Sequence, residues 1–333
     1  MKKIYLILSV FAIVFTACET DFDVNAQWEE STVVYGLLDA GKELQQIKIG
    51  KAFLGQMDAM QMAQYADSIN FDKNELAVKV VRINNNGNTD TIILDEVPTL
   101  RNEGDFNDSI IVYTFEKSNV WFKVNSEYEL LIKNNITGNE VSSTTNVISG
   151  FDFDNIYRTI TNDKPTFPFG FFNSNGDFSP STITWDDSND NGKIYQLDLV
   201  INYSDSNIIS GVVSSEQLVF SQPLVDGKEK KMRIEGESFF NFLRLNLGKD
   251  NDKVRYFNSI DLVMTVGSED LDTYIKVNKP IDGIVQERPQ FTNINNGIGL
   301  FSSRFKKIRF DYDLTSSTLD YLKSVDGLDR NFQ

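Results

Sequence analysis

The residue with the clearest chemistry is Cys18, the single cysteine of the chain. It follows two lysines, an apolar run from Ile4 to Phe15, and the small pair Thr16-Ala17. This order is typical of a lipoprotein signal, in which residues 1–17 are cleaved and Cys18 is acylated, for example with palmitate. The apolar run is too short for a permanent span, which needs about 20 residues. The alternative is an ordinary signal peptide with a free cysteine behind it.

Acidic side chains follow this cysteine directly, at Glu19, Asp21 and Asp23. They resemble the export tags of Bacteroidota lipoproteins that are carried to the outer face of the outer membrane. The alternative is a solvated tether over residues 18–30, because acids are common near chain termini. We expect a protein of the outer membrane, held in the bilayer by the lipid on Cys18 and exposed at the cell surface.

A calcium-loop pattern occupies residues 187–198. Oxygen ligands at alternate positions wrap a hard cation, and the glycine at the sixth position makes the sharp turn. An EF-hand also needs a following helix, whereas the alternation from Tyr195 to Tyr203 predicts a strand, and Asx-Gly runs are ordinary turn formers. We therefore expect no resident cofactor and keep calcium as the alternative. The four residues that would ligate it are Asp187, Asn189, Asn191 and Asp198.

The composition excludes several kinds of catalysis. The chain has no histidine, so it has no Ser-His-Asp triad, Cys-His dyad or His-based metal site. Paired carboxylates remain as an acid and base, but among 48 acidic residues no pair stands out. The formal net charge of −16 repels nucleic acid. We expect a protein that is not an enzyme and has no nucleic-acid partner.

Residues 31–149 show the pattern of short strands separated by turn residues. The Asn-Gly step within Asn84–Asn88 favours a hairpin turn. Tyr128, at the start of a strand, is expected to hydrogen-bond the backbone as a corner tyrosine. Several strands over this length favour an immunoglobulin-like β-sandwich. The predicted strands are 32–38, 45–49, 76–83, 91–94, 109–115, 127–133 and 141–147.

One segment of this first domain lacks alternation. Residues 54–66 contain three methionines and other good helix formers, which predicts a helical insertion between early strands. A small helix that caps the sandwich is the expected role, with a partner contact through the adaptable methionines as the alternative.

Residues 150–333 are predicted to form a second, β-rich domain with a few short helices. The predicted strands are 194–203, 259–266 and 308–312, the predicted helices are 239–247 and 269–277, and a last turn is expected at 318–322. A loop rich in phenylalanine, proline and glycine precedes them. If its rings are exposed they form a partner surface, and the alternative is that the loop folds its own rings onto the domain. These rings are Phe167, Phe169, Phe171, Phe172 and Phe178.

The second half resembles a Bacteroidota lipoprotein family known as domain of unknown function 4249. Thr184-Trp185-Asp186-Asp187, a Gly192 turn and a strand with Tyr195 are similar to that family's Trp-Asp-Asp turn before a tyrosine-bearing strand. Residues 293–302 look like its closing Asn-Ile-x-Gly-Gly-x-Gly-x-Phe segment, with Asn296 in place of the first paired glycine. The resemblance implies an accessory role beside TonB-dependent transporters. It implies no catalytic residue.

Two functions follow as hypotheses. The first is a non-enzymatic accessory subunit docked on an outer-membrane β-barrel complex, either a TonB-dependent transporter or a machine for barrel assembly or export. The phenylalanine loop and a loop expected at 293–301 are its predicted contact surfaces. The second is a glycan- or peptide-binding lipoprotein that feeds a transporter, which predicts a concave, aromatic-lined cleft between the domains.

Overall fold

The fold is that of a computed structural model, which describes residues 31–52, 69–100, 109–117, 121–123, 125–154, 167–186, 191–280 and 290–333. Strands dominate this part of the chain, so the protein is mainly β with a few short helices, as predicted. None of the helices in the described ranges is long and apolar enough to cross a membrane. The predicted helical insertion at 54–66 lies outside the described residues.

The described residues form strands and helices in the following order. The strands are β1 (Ser31–Asp39), β2 (Leu44–Ala52), β3 (Leu76–Asn84), β4 (Thr89–Ile93), β5 (Asp95–Leu100), β6 (Ser109–Glu116), β7 (Ser126–Asn134), β8 (Glu140–Asn146), β9 (Asp152–Phe153), β10 (Ser181–Asp186), β11 (Ile194–Asn207), β12 (Val213–Ser221), β13 (Val225–Asp226), β14 (Lys231–Ile234), β15 (Lys253–Gly267) and β16 (Gly297–Tyr312). The helices are α1 (Gly236–Asn246), α2 (Glu269–Asn278) and α3 (Ser316–Lys323).

A nine-stranded sheet runs through both halves of the chain. Its order is β12-β11-β15-β16-β1-β2-β6-β5, with β13 paired to β11. The step between the halves is the parallel pairing of β1 with β16, in which Thr32 lies opposite Gly297 and Asp39 opposite Arg304. Two smaller sheets, β4-β3-β7-β8 and β14-β10-β9, complete the architecture of the described residues.

The first half is built around two facing sheets. Inward residues of β1, β2 and β6 share one hydrophobic cluster with those of β3 and β7, so these sheets pack face to face. Tyr128 occupies the predicted corner position. Its hydroxyl accepts a hydrogen bond from the Lys123 amide at 2.7 Å and donates one to the Trp121 carbonyl at 3.2 Å. The immunoglobulin-like topology itself stays a prediction.

The second half has its own hydrophobic cluster, which lies between the inner face of β11 and β15 and the helices α1 and α3. Alternate residues of β11 from Tyr195 to Ile201 are buried in it, as their period of two predicts. The two clusters divide the chain between Val147 and Ile148, except that Ile294 and Phe301 return to the first. The predicted domain boundary at 149/150 stays a prediction, and the shared sheet joins the two sides of it.

Candidate functional site

The phenylalanine loop is packed into the second cluster. Phe169 and Phe171 are 0% exposed, and the Phe171 ring stacks on Phe239 of α1 with centroids 4.1 Å apart. Phe172 stacks on Tyr321 of α3 at 4.2 Å, and its neighbour Phe167 is partly buried. Only Phe178 of the five is exposed, at 39%. The predicted partner surface is therefore corrected for Phe169 and Phe171, because fully buried rings cannot meet a partner.

The second predicted contact surface, at 293–301, is largely a central strand. Residues 297–301 begin β16, which lies between β15 and β1. Ile294, Leu300 and Phe301 are buried. The side-chain amide of Asn293 holds the entry to the strand, since it donates to the Phe301 carbonyl at 2.6 Å and accepts from the Phe301 amide at 2.9 Å. The expected loop is corrected to a strand from Gly297 onward, while Asn295, Asn296 and Ile298 remain exposed.

The calcium pattern is only partly described. Asp187 and Asn189 lie outside the described residues, while Asn191 donates to the Val147 carbonyl at 3.3 Å. Asp198 lies within strand β11, so a strand follows the loop, as predicted, where an EF-hand needs a helix. No group of three or more Asp, Glu, His or Cys in the described residues is arranged to hold a metal ion. Calcium remains an untested alternative.

The predicted anchor and tag lie outside the described residues. This applies to Cys18 and to the acidic residues Glu19, Asp21 and Asp23. Lipid attachment and surface export stay predictions, since the described part of the chain begins at Ser31.

Helix α2 lies on the sheet at the junction of the two halves, held by a cluster of buried serines. The hydroxyls of Ser268 and Ser302 are 2.7 Å apart, and Ser268 also accepts from the Ser303 amide at 3.3 Å. Ser303 in turn donates to the carbonyl of Asn146 at 2.7 Å. These bonds join the start of α2, strand β16 and the end of β8. They fix the helix where two clefts open beside it.

The cleft beside the middle of α2, here named the tyrosine cleft, has a volume of about 370 Å³. Its walls come from β1 and β2 on one side and from α2 and β16 on the other, so it lies between the halves. The second functional hypothesis predicts an aromatic-lined cleft in this place. Its lining includes Tyr35, Leu37, Asp39, Lys42, Leu44, Gln45, Gln46, Leu271, Tyr274, Leu300 and Arg304.

The cleft at the start of α2 is polar, with a volume of about 440 Å³. Burial raises the pKa of the Asp270 carboxyl here, a hydrogen bond from Asn293 lowers it, and the charge of Glu269 raises it further. Asn191 and Asn293, from two segments singled out in the sequence, meet in this cleft. The lining offers many hydrogen-bonding groups but no metal cluster among the described residues.

A third feature is the turn that joins β11 to β12. Four large aliphatic side chains stand out from it into solvent, and we name them the apolar tip. No charged or aromatic residue occurs between positions 206 and 215. The members and their exposed fractions are Ile208 (61%), Ile209 (79%), Val212 (64%) and Val213 (63%).

The turn geometry does not require three of these four aliphatic residues, because the chain builds the same turn twice. In the β11–β12 turn the Asn207 side chain accepts from the amides of Ile209 at 3.0 Å and Ser210 at 2.8 Å. In the β7–β8 turn Asn134 accepts from the two equivalent amides at 2.8 and 2.9 Å. Each turn closes on a glycine with positive φ, 70° at Gly211 and 76° at Gly138. Ile209 has its equivalent in Ile136, but the other three aliphatic positions are polar in the second turn, which carries Asn135, Asn139 and Glu140 where the first has Ile208, Val212 and Val213.

No model of a known protein family matches this chain, and no curated protein matches it. The resemblance to domain of unknown function 4249 therefore stays a prediction. The function has to be argued from the geometry.

Sequence reasoning missed the apolar tip, although its signal is present. Ile208-Ile209 and Val212-Val213 flank a Ser-Gly step, where turn-forming sequences ordinarily carry polar residues. Such an apolar turn is the pattern that would have indicated an exposed contact surface.

Proposed function

We propose that the protein is a non-enzymatic accessory subunit, anchored through lipid on Cys18, that docks on an outer-membrane β-barrel complex. The apolar tip is the observation that carries this proposal. Burying one large aliphatic side chain is worth about 1.5–3 kcal/mol, and the tip leaves four of them in water. An exposed apolar cluster of this kind is typical of an interaction site.

The comparison of the two turns supports a role in binding. The turn at Asn134 has the same hydrogen bonds, with polar residues at three of the four equivalent positions. The turn geometry therefore explains the Asn and Gly of the tip but not Ile208, Val212 and Val213. These residues are therefore available for a contact that the described chain does not make.

The place of the tip in the sheet favours a protein partner over the anchoring bilayer. β1 and β16 start side by side, since Thr32 pairs with Gly297. Gly267, at the end of β15, pairs with both Arg304 of β16 and Ile194 at the start of β11. The tip, at the far end of β11, is therefore at the opposite end of the sheet from the start of β1. At about 3.3 Å per residue, and with the sheet twist included, these ends are roughly 60 Å apart. Residues 19–30 span at most about 42 Å when fully extended. With the long axis of the sheet perpendicular to the membrane, the tether is therefore too short for the tip to enter the membrane that holds Cys18.

The composition of the tip points the same way. Segments that insert into membrane interfaces combine Trp, Phe or Leu with basic residues, and the tip has none of these between positions 206 and 215. The apolar tip, which is neutral and aliphatic, fits an apolar groove between the extracellular loops of a barrel protein. The lipid tether would raise the local concentration of the subunit there, so a modest contact suffices for stable docking. The mechanism is steric, with the body of the protein shaping access to the barrel.

The test is crosslinking in the native membrane, followed by purification in mild detergent and mass spectrometry. The double variant Ile209→Asp/Val212→Asp places charges on the tip, and we expect it to lose a stoichiometric barrel protein that the wild type retains. The matched control is Ile136→Asp in the equivalent β7–β8 turn, where the isoleucine is 73% exposed. Equal recovery of the barrel protein with both variants, or no barrel protein with the wild type, would overturn the proposal.

A further inference from the structure

The tyrosine cleft carries an inference that does not rest on docking. It lies beside α2, whereas the apolar tip is at the end of β11, so the two features are separate. Its volume of about 370 Å³ falls within the range of about 300–1,000 Å³ common for small-ligand sites.

One wall of the cleft is aromatic and apolar. Tyr35 is 48% exposed and meets Tyr274 edge to face, with ring centroids 6.5 Å apart. Burial raises the pKa of the Tyr35 phenol, and its interaction with Tyr274 raises it further. Leu44, 46% exposed, extends the wall.

The opposite side of the cleft carries charge with unused hydrogen-bonding capacity. Asp39 is 3% exposed, and its Oδ2 has no hydrogen-bond partner. The Nε of Arg304 also lacks a partner, and it lies 3.6 Å from that Oδ2, beyond hydrogen-bond length. Both atoms are closed off from solvent, so the two groups interact through their charges. The Arg304 side chain as a whole is 40% exposed, which leaves the outer part of its guanidinium open to a ligand.

The cleft is locally basic in an acidic protein. Lys42 and Arg304 face one carboxylate, Asp39, among its described lining residues. The whole chain has a formal net charge of −16. Two cations close together against that background attract an anionic ligand, and a guanidinium matches a carboxylate in geometry.

The backbone around the cleft is already paired, which argues against a peptide. β1 lies between β16 and β2, and β2 lies between β1 and β6. Where β1 and β2 separate, the Gln45 side chain accepts from the Asp39 amide at 2.8 Å and donates to the Asp39 carbonyl at 2.9 Å. A peptide that binds by adding a strand needs a free sheet edge, and these strands have none to offer. Recognition here must use side chains.

We propose that the tyrosine cleft binds an acidic oligosaccharide of the uronate type. The apolar face of a sugar ring lies on Tyr35 and Leu44, and the carboxylate meets Arg304 and Lys42. The ring matches the apolar wall of the cleft, and the carboxylate matches its two cations. A neutral sugar lacks the carboxylate.

The experiment is calorimetric titration of the full-length protein in mild detergent with an oligogalacturonate, and with a maltooligosaccharide of equal length as the neutral probe. We expect saturable binding of the oligogalacturonate, and binding of the maltooligosaccharide that is weaker by at least about tenfold. No binding of the acidic probe, or equal affinity for both, would overturn the proposal.

Variants locate the site. We expect Tyr35→Ala, Lys42→Gln and Arg304→Gln each to weaken oligogalacturonate binding by at least about tenfold. Matched controls are Tyr256→Ala, a tyrosine of similar exposure (45%) on β15, and Lys323→Gln at the end of α3. Thermal unfolding of each variant shows that it is folded. If the controls weaken binding as much as the cleft variants, binding lies elsewhere and the assignment fails.

Discussion

Arg255 and Asp205 form a buried ion pair across β15 and β11, with Nε 3.0 Å from Oδ1. The same guanidinium donates to the carbonyls of Gly248 at 2.7 Å and Arg330 at 2.9 Å. A single side chain therefore joins the base of the β11–β12 hairpin to the C-terminal segment. It gives the apolar tip a rigid support.

Arg255→Met is expected to destabilise the protein by about 3–5 kcal/mol, because it leaves Asp205 buried without its main partner. Urea unfolding followed by tryptophan fluorescence measures the change. The control is Lys253→Met: this lysine is half-exposed and 3.5 Å from Asp205, so its loss should cost no more than about 1 kcal/mol. Equal costs for the two variants would contradict the importance of the buried pair.

Tyr128→Phe should cost about 1–3 kcal/mol in the free energy of unfolding, since the partly buried amide of Lys123 loses its hydrogen-bond partner. The carbonyl of Trp121 keeps its hydrogen bond from the Arg82 guanidinium. The same removal of a hydroxyl from exposed Tyr256 should change stability by less than about 0.5 kcal/mol. Chemical denaturation of both variants provides the comparison. A corner variant as stable as the wild type would show that water replaces the lost bonds.

Alkaline pH should weaken the fold through Tyr113. Burial raises the pKa of its phenol, and the nearby carboxylates of Glu96 and Glu75 raise it further. The folded state thus favours the neutral phenol, so this contribution to stability is complete below the ordinary pKa of 10.0 and declines as pH rises above it. Urea unfolding at about pH 9 and about pH 11 measures the decline. Tyr113→Phe, which cannot ionise, should show a smaller decline than the wild type, and an unchanged decline would assign the effect to other groups.

Gly299→Ala tests the junction of the halves. Gly299 has φ +121°, and a Cβ there would collide with the carbonyl oxygen of Val34 on β1. We expect a loss of more than about 3 kcal/mol, because both backbone strain and the collision act on a central strand pair. Gly176→Ala is the control for strain alone, with φ +90° and open space around the new methyl, and should cost about 1–2 kcal/mol. If the two variants are equally stable, the close approach of β1 and β16 does not add to the cost of placing a Cβ at residue 299.

The segment at 293–301 shows what sequence reasoning could not resolve. Its asparagines and glycines have the composition of a loop, but Gly297 and Gly299 serve the close approach of β1, where a Cβ would meet the backbone of Thr32 and Val34. The partner strand is at the other end of the chain, so no local pattern could show the need for small residues. Strands with clean alternation, such as β11 and β15, were predictable because their period reports one buried face directly.

The sequence of the phenylalanine loop allows two interpretations for a similar reason. The rings that cover it, Phe239 and Tyr321, come from helices α1 and α3 far along the sequence. The composition shows that the loop has aromatic side chains to bury, and only the tertiary contacts show which residues they pack against. The apolar tip is the opposite case, because its signal is entirely local. Aliphatic residues in a turn between two strands are visible in the sequence without any tertiary contact.

The parallel pairing of β1 with β16 sets the order in which the molecule is completed. The partner strand β16 is near the C-terminus, so β1 lacks this neighbour until most of the polypeptide has been made. Until then β1 presents a free edge that other chains can pair with. Folding of this protein should therefore depend on holdase chaperones in the compartment where it folds. Truncation before Gly297 should yield aggregates rather than a smaller folded protein.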